Sequence, residues 1–335
     1  MAWLAEVPLR PLVVAGLEMG IPLPPGDRPL VEPGTVVVPG DLLLEHVRDR
    51  RVDEVDVRTP QGDRPPAGSR WAPAPGRRHH ADRPADGELL TPVPGKAGRW
   101  RLVTGEHRAQ TAASVRATVV EVRPGTVIRL RVEGLAIRGA FAAGASARGR
   151  LELATDPFGD LRQGGIDVGR SGSILVVGSR IDAEALTRAR AMGVRGIVAA
   201  SVAGKDLRDF QASERRQRAA LHMPEPFGVL ALDGALRRRI ATPVAALLER
   251  LAGHEVALLV DPPALVFDAT GVDLPIIPPD WVRVRGGPNL GAEGRIRELV
   301  GLRRFAAGVH LDAARVDLDG EPAAEIPLGD LERMG

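Results

Sequence analysis

The stretch from Ser173 to Ala200 constrains the fold most, because its hydrophobic pattern switches from strand to helix and back. Ile174-Leu175-Val176-Val177 is a short continuous apolar run, the pattern of a strand buried on both faces. Gly178 and Ser179 turn the chain, and Asp182 is placed to cap a helix over Ala183 to Met192, a run of strong helix formers. Gly193 stands where a glycine ends a helix in the left-handed conformation, and Val194 to Ala200 reads as a second buried strand. A β-α-β unit of this length predicts parallel pairing through a right-handed crossover.

The same alternation continues downstream. Gly204 to Ala220 is a charged helix, Phe227 to Leu232 a third apolar strand, and Thr242-Pro243 a helix start with a capping threonine and a proline in the first turn. Val244 to Leu251 continues that helix to Gly253, Glu255 to Val260 is a fourth strand, and Leu265-Val266-Phe267 a fifth. Residues 161–270 are therefore expected to form an α/β domain with a mostly parallel sheet. Such sheets bind ligands at the carboxyl ends of their strands. This places Ser179, Arg180 and Ser201 in possible ligand loops. No known nucleotide signature occupies them. The first loop lacks the three glycines of G-x-G-x-x-G. Gly204-Lys205-Asp206 has aspartate where a P-loop needs Ser or Thr to reach magnesium. Ser179, Ser201, His222 and Asp233 lack the G-x-S-x-G elbow of a hydrolase.

Composition narrows the chemistry further. The 335 residues contain no cysteine, which excludes disulfides, thiolate metal sites and thiol nucleophiles and fits a reducing compartment. Net charge is only +2, so no global field draws the chain to nucleic acid or membrane. Lys96 and Lys205 are the only lysines; arginine supplies the remaining positive charge. No run approaches a membrane span, and Met1 to Gly20 carries Glu6 and Arg10 without the order of a signal peptide, so a cytoplasmic location is expected. No cofactor and no metal site is expected. His79-His80 point to opposite sides of an extended chain and have no third ligand near them in sequence.

The N-terminal region is β-rich. Pro33-Gly34 and Pro39-Gly40 bracket the three valines Val36 to Val38, followed by Asp41-Leu42-Leu43-Leu44. This rhythm resembles half of a barrel-sandwich hybrid, the fold of biotinyl and lipoyl carrier domains. Residues 1–58 are expected to form its first half and residues 111–160 its second. Within the second half, Ile128, Leu130 and Val132 alternate with Arg129 and Arg131. Between the halves, residues 59–110 hold a mobile Pro/Gly/Arg-rich insertion (59–87) and a hairpin. The resemblance implies a modified lysine at a β-turn. Lys96 lies in a Pro/Gly turn but lacks the flanking residues of a carrier motif, so the fold is expected without the chemistry. Gly134, Gly139, Gly144 and Gly149 recur among β-type residues, which predicts tight turns or close sheet packing rather than a phosphate cradle.

The tail, residues 271–335, carries the second resemblance. Trp281-Val282-Arg283-Val284-Arg285, then Gly286-Gly287-Pro288-Asn289-Leu290-Gly291-Ala292-Glu293-Gly294, then Arg295-Ile296-Arg297 resembles a KOW motif at the start of a small SH3-like barrel. Alternation predicts Val282, Val284 and Ile296 inside and Trp281, Arg283, Arg285, Arg295 and Arg297 outside, with Arg303 and Arg304 following. An aromatic among clustered arginines suits phosphate contacts and base stacking. The resemblance implies contact with RNA or DNA, or with a ribosome- or polymerase-type assembly. The chain thus reads as a multidomain α/β plus all-β protein, a non-catalytic binding or scaffold protein without a membrane role. Two alternatives stand beside this: an α/β domain that binds or transforms a small ligand, and a purely structural assembly protein with a protein partner.

Overall fold

The computed structural model describes residues 7–46, 50–56, 70–71, 87–92, 99–106, 109–156, 159–161, 166, 168–220 and 226–335. Most of the insertion 59–87, His79, His80, Lys96 and His222 lie outside the described residues. The fold is predominantly β, in several sheets, with three α-helices among the described residues. No helix there is long and apolar enough to cross a membrane. The chain divides into two compact units, one of residues 1–19, 114–117 and 131–335, the other of residues 20–113 and 118–130.

The larger unit is built on a nine-stranded sheet. Its centre is the predicted β-α-β unit. Strand Ser173–Arg180, helix α1 (Ala183–Ala191) and strand Gly196–Ser201 follow in turn, and the two strands pair in parallel with Ile174 opposite Gly196. The Asp182 side chain accepts the Ala185 N–H at 2.7 Å, and Gly193 ends the helix at φ +80°. Every residue from Ser173 to Ser179 is buried, because both faces are covered. Leu175, Val177, Ile197, Ala199, Val229 and Ala231 pack with Leu186 of α1 and with Phe210 of α2 (Gly204–Ala220). Ile174, Val176, Val198 and Leu230 pack with Val244, Leu247 and Leu248 of α3 (Thr242–Arg250).

Only part of this sheet is parallel. Strands Gly228–Ala231, Gly196–Ser201, Ser173–Arg180 and Ala147–Leu153 lie side by side in parallel. Antiparallel neighbours extend them: Phe141–Gly144 at one edge, and Glu255–Leu259, Ala264–Phe267, Leu135–Arg138 and Val14–Ala15 on the other side. This corrects the mostly parallel sheet expected from the alternation of strands and helices. Glu255–Leu259 does follow a helix, yet it pairs antiparallel with Ala147–Leu153, which inserts between it and the β-α-β strands. Strands between 135 and 153 thus belong to this sheet, although the sequence places them in the second half of an N-terminal sandwich.

The spaced glycines explain how these strands come close. At Gly134 and Gly144 φ is +94° and +93°, and an added Cβ would lie 2.4 Å from the Phe267 carbonyl oxygen and 2.3 Å from that of Phe227. At Gly139 it would meet Leu230, and at Gly149 the Gly172 carbonyl oxygen at 2.2 Å. The predicted close sheet packing is therefore what all four provide.

Residues 281–334 form a six-stranded sheet with the chain start. Its order is Leu9–Arg10, Leu331–Met334, Trp281–Val284, Glu293–Arg304, His310–Leu318 and Ala324–Pro327. Leu9–Arg10 pairs in parallel with the final strand, so it sits with the tail rather than with the β region expected over residues 1–58. Val282, Val284 and Ile296 point into a core with Val7, Val316, Ile326 and Leu331, as alternation predicts.

The smaller unit contains a three-stranded sheet (Arg28–Pro29, Leu42–His46, Ala109–Ala112) and a four-stranded sheet (Arg50–Asp56, Arg99–Glu106, Gly87–Pro92, Arg70–Trp71). It also holds most of a second four-stranded sheet, in order Glu18–Pro22, Val127–Val132, Ala117–Arg123 and Val36–Val37. Gly34 and Gly40 sit at φ +89° and +99°, as the two Pro-Gly turns require.

Candidate functional site

The parallel strands end at Leu153, Arg180, Ser201 and Ala231, and Asp233 follows the last of them. The Asp233 carboxylate, 4% exposed, takes Arg10 at 2.6 Å and Arg283 at 2.8 Å. Arg283 is fully buried. Its Nη2 donates to the Arg239 carbonyl at 2.5 Å, and its Nε lies 3.8 Å from the Glu293 carboxylate. Glu293 is its cross-strand partner and is also wholly buried. Both Glu293 oxygens accept the Thr242 N–H, at 3.1 and 3.2 Å, and Arg239 approaches at 3.4 Å. Three arginines and two carboxylates thus alternate through the layer between the two sheets of the larger unit.

The physical consequence is specific. A helix N-terminus favours an anion, and at α3 the protein supplies one of its own. The sequence predicts Thr242 as the cap of this helix, but Ala241 holds the cap position and makes no side-chain cap bond. A carboxylate from a distant strand satisfies the amide instead. Burial raises the Asp233 carboxyl, but Arg283 and Arg10 outweigh it and hold the group below its ordinary value of 3.8. A carboxylate lowered in the folded state adds stability above its unfolded pKa and loses it as pH falls through the native value. The stability gap between the wild type and D233N is therefore expected to narrow from pH 7 towards pH 3, read from denaturant midpoints.

The tail arginines separate into two groups. Trp281 is 7% exposed and packs with the α3 side of the nine-stranded sheet, and Arg283 is engaged as above. Neither offers a binding surface, which corrects their assignment to an outer face. The face opposite Val282 and Val284 exists as alternation says, but at Trp281 and Arg283 a second layer covers it. Arg285, Arg295 and Arg297 are exposed, with Glu332 at 3.7 Å, Asp280 at 3.8 Å and Asp317 at 2.9 Å beside them. Arg303 lies 3.2 Å from Glu325, whereas Arg304 makes no ion pair among the described residues.

Arg303 and Arg304 stand near the end of a long hairpin, Glu293–Arg304 paired with His310–Leu318. Between Leu299 and Leu311 it carries Arg303, Arg304 and His310 and no acid. Leu302 is 64% exposed there, and Leu299, Val309 and Leu311 are exposed beside it.

At the ligand end of the parallel strands the serines turn inward. Ser201, fully buried, donates to the Ser179 carbonyl at 3.2 Å, and the Ser179 N–H donates to the Gly159 carbonyl. Of the three predicted loop residues, Arg180 lines a cavity. This space of 260 Å³ is also lined by Asp160, Leu161, Asp182 and Arg237. Arg180 is paired to Asp206 and Arg237 to Asp160, each at 2.6 Å. The described residues hold no cluster of three or more metal-ligating side chains.

No protein-family model matches the chain, and no curated protein matches it. Arg10, Asp233, Arg239 and Glu293, which join the two sheets, do not stand out as a set in the sequence. Glu293 is one of two acids on a strand with four arginines, so its type alone does not single it out.

Proposed function

We propose that the protein is a binding protein whose C-terminal sheet contacts nucleic acid, alone or within a ribosome- or polymerase-type assembly. In this reading the tail is a KOW-type SH3-like barrel, and the N-terminal strands form a barrel-sandwich hybrid without a carrier lysine. The α/β domain acts as the support on which the tail is mounted. The observation that carries the proposal is the hairpin end, where Arg303, Arg304 and His310 stand among exposed Leu302, Val309 and Leu311 without an acid between 299 and 311. Cations of this kind meet phosphates, and apolar side chains beside them pack on bases. Arg303 also has Glu325 at 3.2 Å, and on the same sheet the charges of Arg285, Arg295 and Arg297 are likewise partly offset by neighbouring acids.

The test is anisotropy of a short labelled single-stranded RNA titrated with wild type and with R303A/R304A at several salt concentrations. Withdrawing one cation from a phosphate lowers the slope of log K against log salt by about 0.7, so the double variant is expected to show a slope shallower by about 1.4. Equal affinity and slope in the two proteins, or no wild-type binding, removes the proposal. A protein partner retained after nuclease digestion points to structural assembly instead.

The 260 Å³ cavity favours a second reading, a small charged ligand held between Arg180, Arg237 and Asp160. It predicts a ligand-induced rise in melting temperature that disappears in R237A.

A further inference from the structure

Three polar side chains of the smaller unit stand in line. Arg28–Pro29, Leu42–His46 and Ala109–Ala112 form one antiparallel sheet, with Leu42–His46 in the centre. His46 ends the central strand, Asp27 precedes one neighbour, and Thr111 lies on the other, opposite Leu44. Positions two apart on a strand share a face, so Thr111 and His46 are diagonal neighbours on the same side. The Asp27 carboxylate is fully buried, with Oδ2 2.6 Å from His46 Nδ1. His46 Nε2 lies 2.9 Å from Thr111 Oγ1. The imidazole is 30% exposed, so solvent reaches the row at its centre. The ladder slips by one residue between Thr111 and Ala112. Irregularities of that kind re-aim a side chain and are common beside active sites.

Here a buried acid holds one imidazole nitrogen, and the other nitrogen meets a hydroxyl, which is the order in which an alcohol is activated. With Nδ1–H donating to Asp27, Nε2 keeps its lone pair for the Thr111 hydroxyl.

We propose that Thr111, His46 and Asp27 form a site of acyl transfer acting on small esters. It goes beyond nucleic-acid binding by the tail and revises, for this unit, the expectation of a non-catalytic chain. Thr111 Oγ1 forms a bond to the acyl carbon, and its proton passes to His46 Nε2. The bond from that carbon to the leaving oxygen breaks, and the leaving alkoxide takes the proton from His46. Water then repeats the sequence: its oxygen bonds to the acyl carbon, His46 accepts its proton, and Thr111 Oγ1 leaves and is reprotonated. The products are the free acid and the alcohol. Asp27 is a positioning residue that holds the tautomer and stabilises the imidazolium as it forms. Thr111, half-buried in the sheet, limits the acyl group to a small one.

The probe is p-nitrophenyl acetate with the full-length protein, read by nitrophenolate release and by mass mapping of the acetyl adduct. Hydrolysis above the buffer rate and an adduct on Thr111 are expected in the wild type. T111S is expected to keep both, T111A to lose both, and H46Q to slow release at least about 100-fold. Melting temperatures measured alongside separate loss of chemistry from loss of fold. Hydrolysis in T111A equal to the wild type, an adduct confined to other residues, or a wild type no faster than buffer overturns the proposal. T111S and the wild-type adduct decide the matter even where T111A fails to fold.

Discussion

Replacing Arg283 by alanine is expected to destabilise the protein by about 3–5 kcal/mol, the usual consequence of removing one partner from a buried ion pair. The guanidinium is fully buried and stands between two carboxylates that are themselves 4% and 0% exposed. Without it, Asp233 keeps Arg10 and Glu293 keeps Arg239 and the Thr242 N–H, but both carboxylates lose their shared cation. Urea unfolding of wild type and R283A measures the loss. A double-mutant cycle with E293Q isolates the coupling, because neutralising Glu293 removes one of the orphaned charges. The double variant is expected to fall short of the sum of the two single losses by about 1 kcal/mol or more. A loss below about 1 kcal/mol in R283A is the outcome that would mark the pair as solvated, against the burial described above.

Gly144→Ala is expected to cost about 2–5 kcal/mol, from two sources. Its φ of +93° is strained for any residue with a Cβ, and that Cβ would lie 2.3 Å from the Phe227 carbonyl oxygen. This carbonyl belongs to backbone next to the paired strand Gly228–Ala231 and already accepts the Ala145 N–H, so it has no free direction in which to retreat. Gly172→Ala is the internal control. Its φ is +83° with nothing within 4 Å, so only the backbone strain applies, about 1–2 kcal/mol. Denaturant midpoints of the two variants give the difference directly. Equal losses at both positions would mean that the Phe227 carbonyl moves aside freely.

These two positions differ in how far they can be read from sequence. Gly144 belongs to a spacing of glycines among β-type residues, which predicts the close packing found there. Alternation predicts Arg283 on an outer face, and the tertiary structure places it in the interior. The same contrast holds along the tail. Arg303 and Arg304, expected at a binding face, are exposed, while Trp281 is covered.

Local structure is legible from adjacent residues alone. The run Ile174 to Val177, the capping Asp182 and the glycine at 193 place a strand, a helix and its end, because periodicity, cap chemistry and positive φ are properties of neighbours in the chain. Alternation likewise puts Val282, Val284 and Ile296 in one core. Long-range packing settles which second face is covered and which strands pair. A strand always has two faces, and only a distant layer determines whether the second meets water; at Trp281 and Arg283 that layer is the α3 side of the nine-stranded sheet. Ala147–Leu153 enters that sheet by pairing with strands more than twenty and more than a hundred residues away, about which its own pattern carries no information. His46, Asp27 and Thr111 are separated by 19 and 65 residues along the chain, and only the register of three strands brings them into one row.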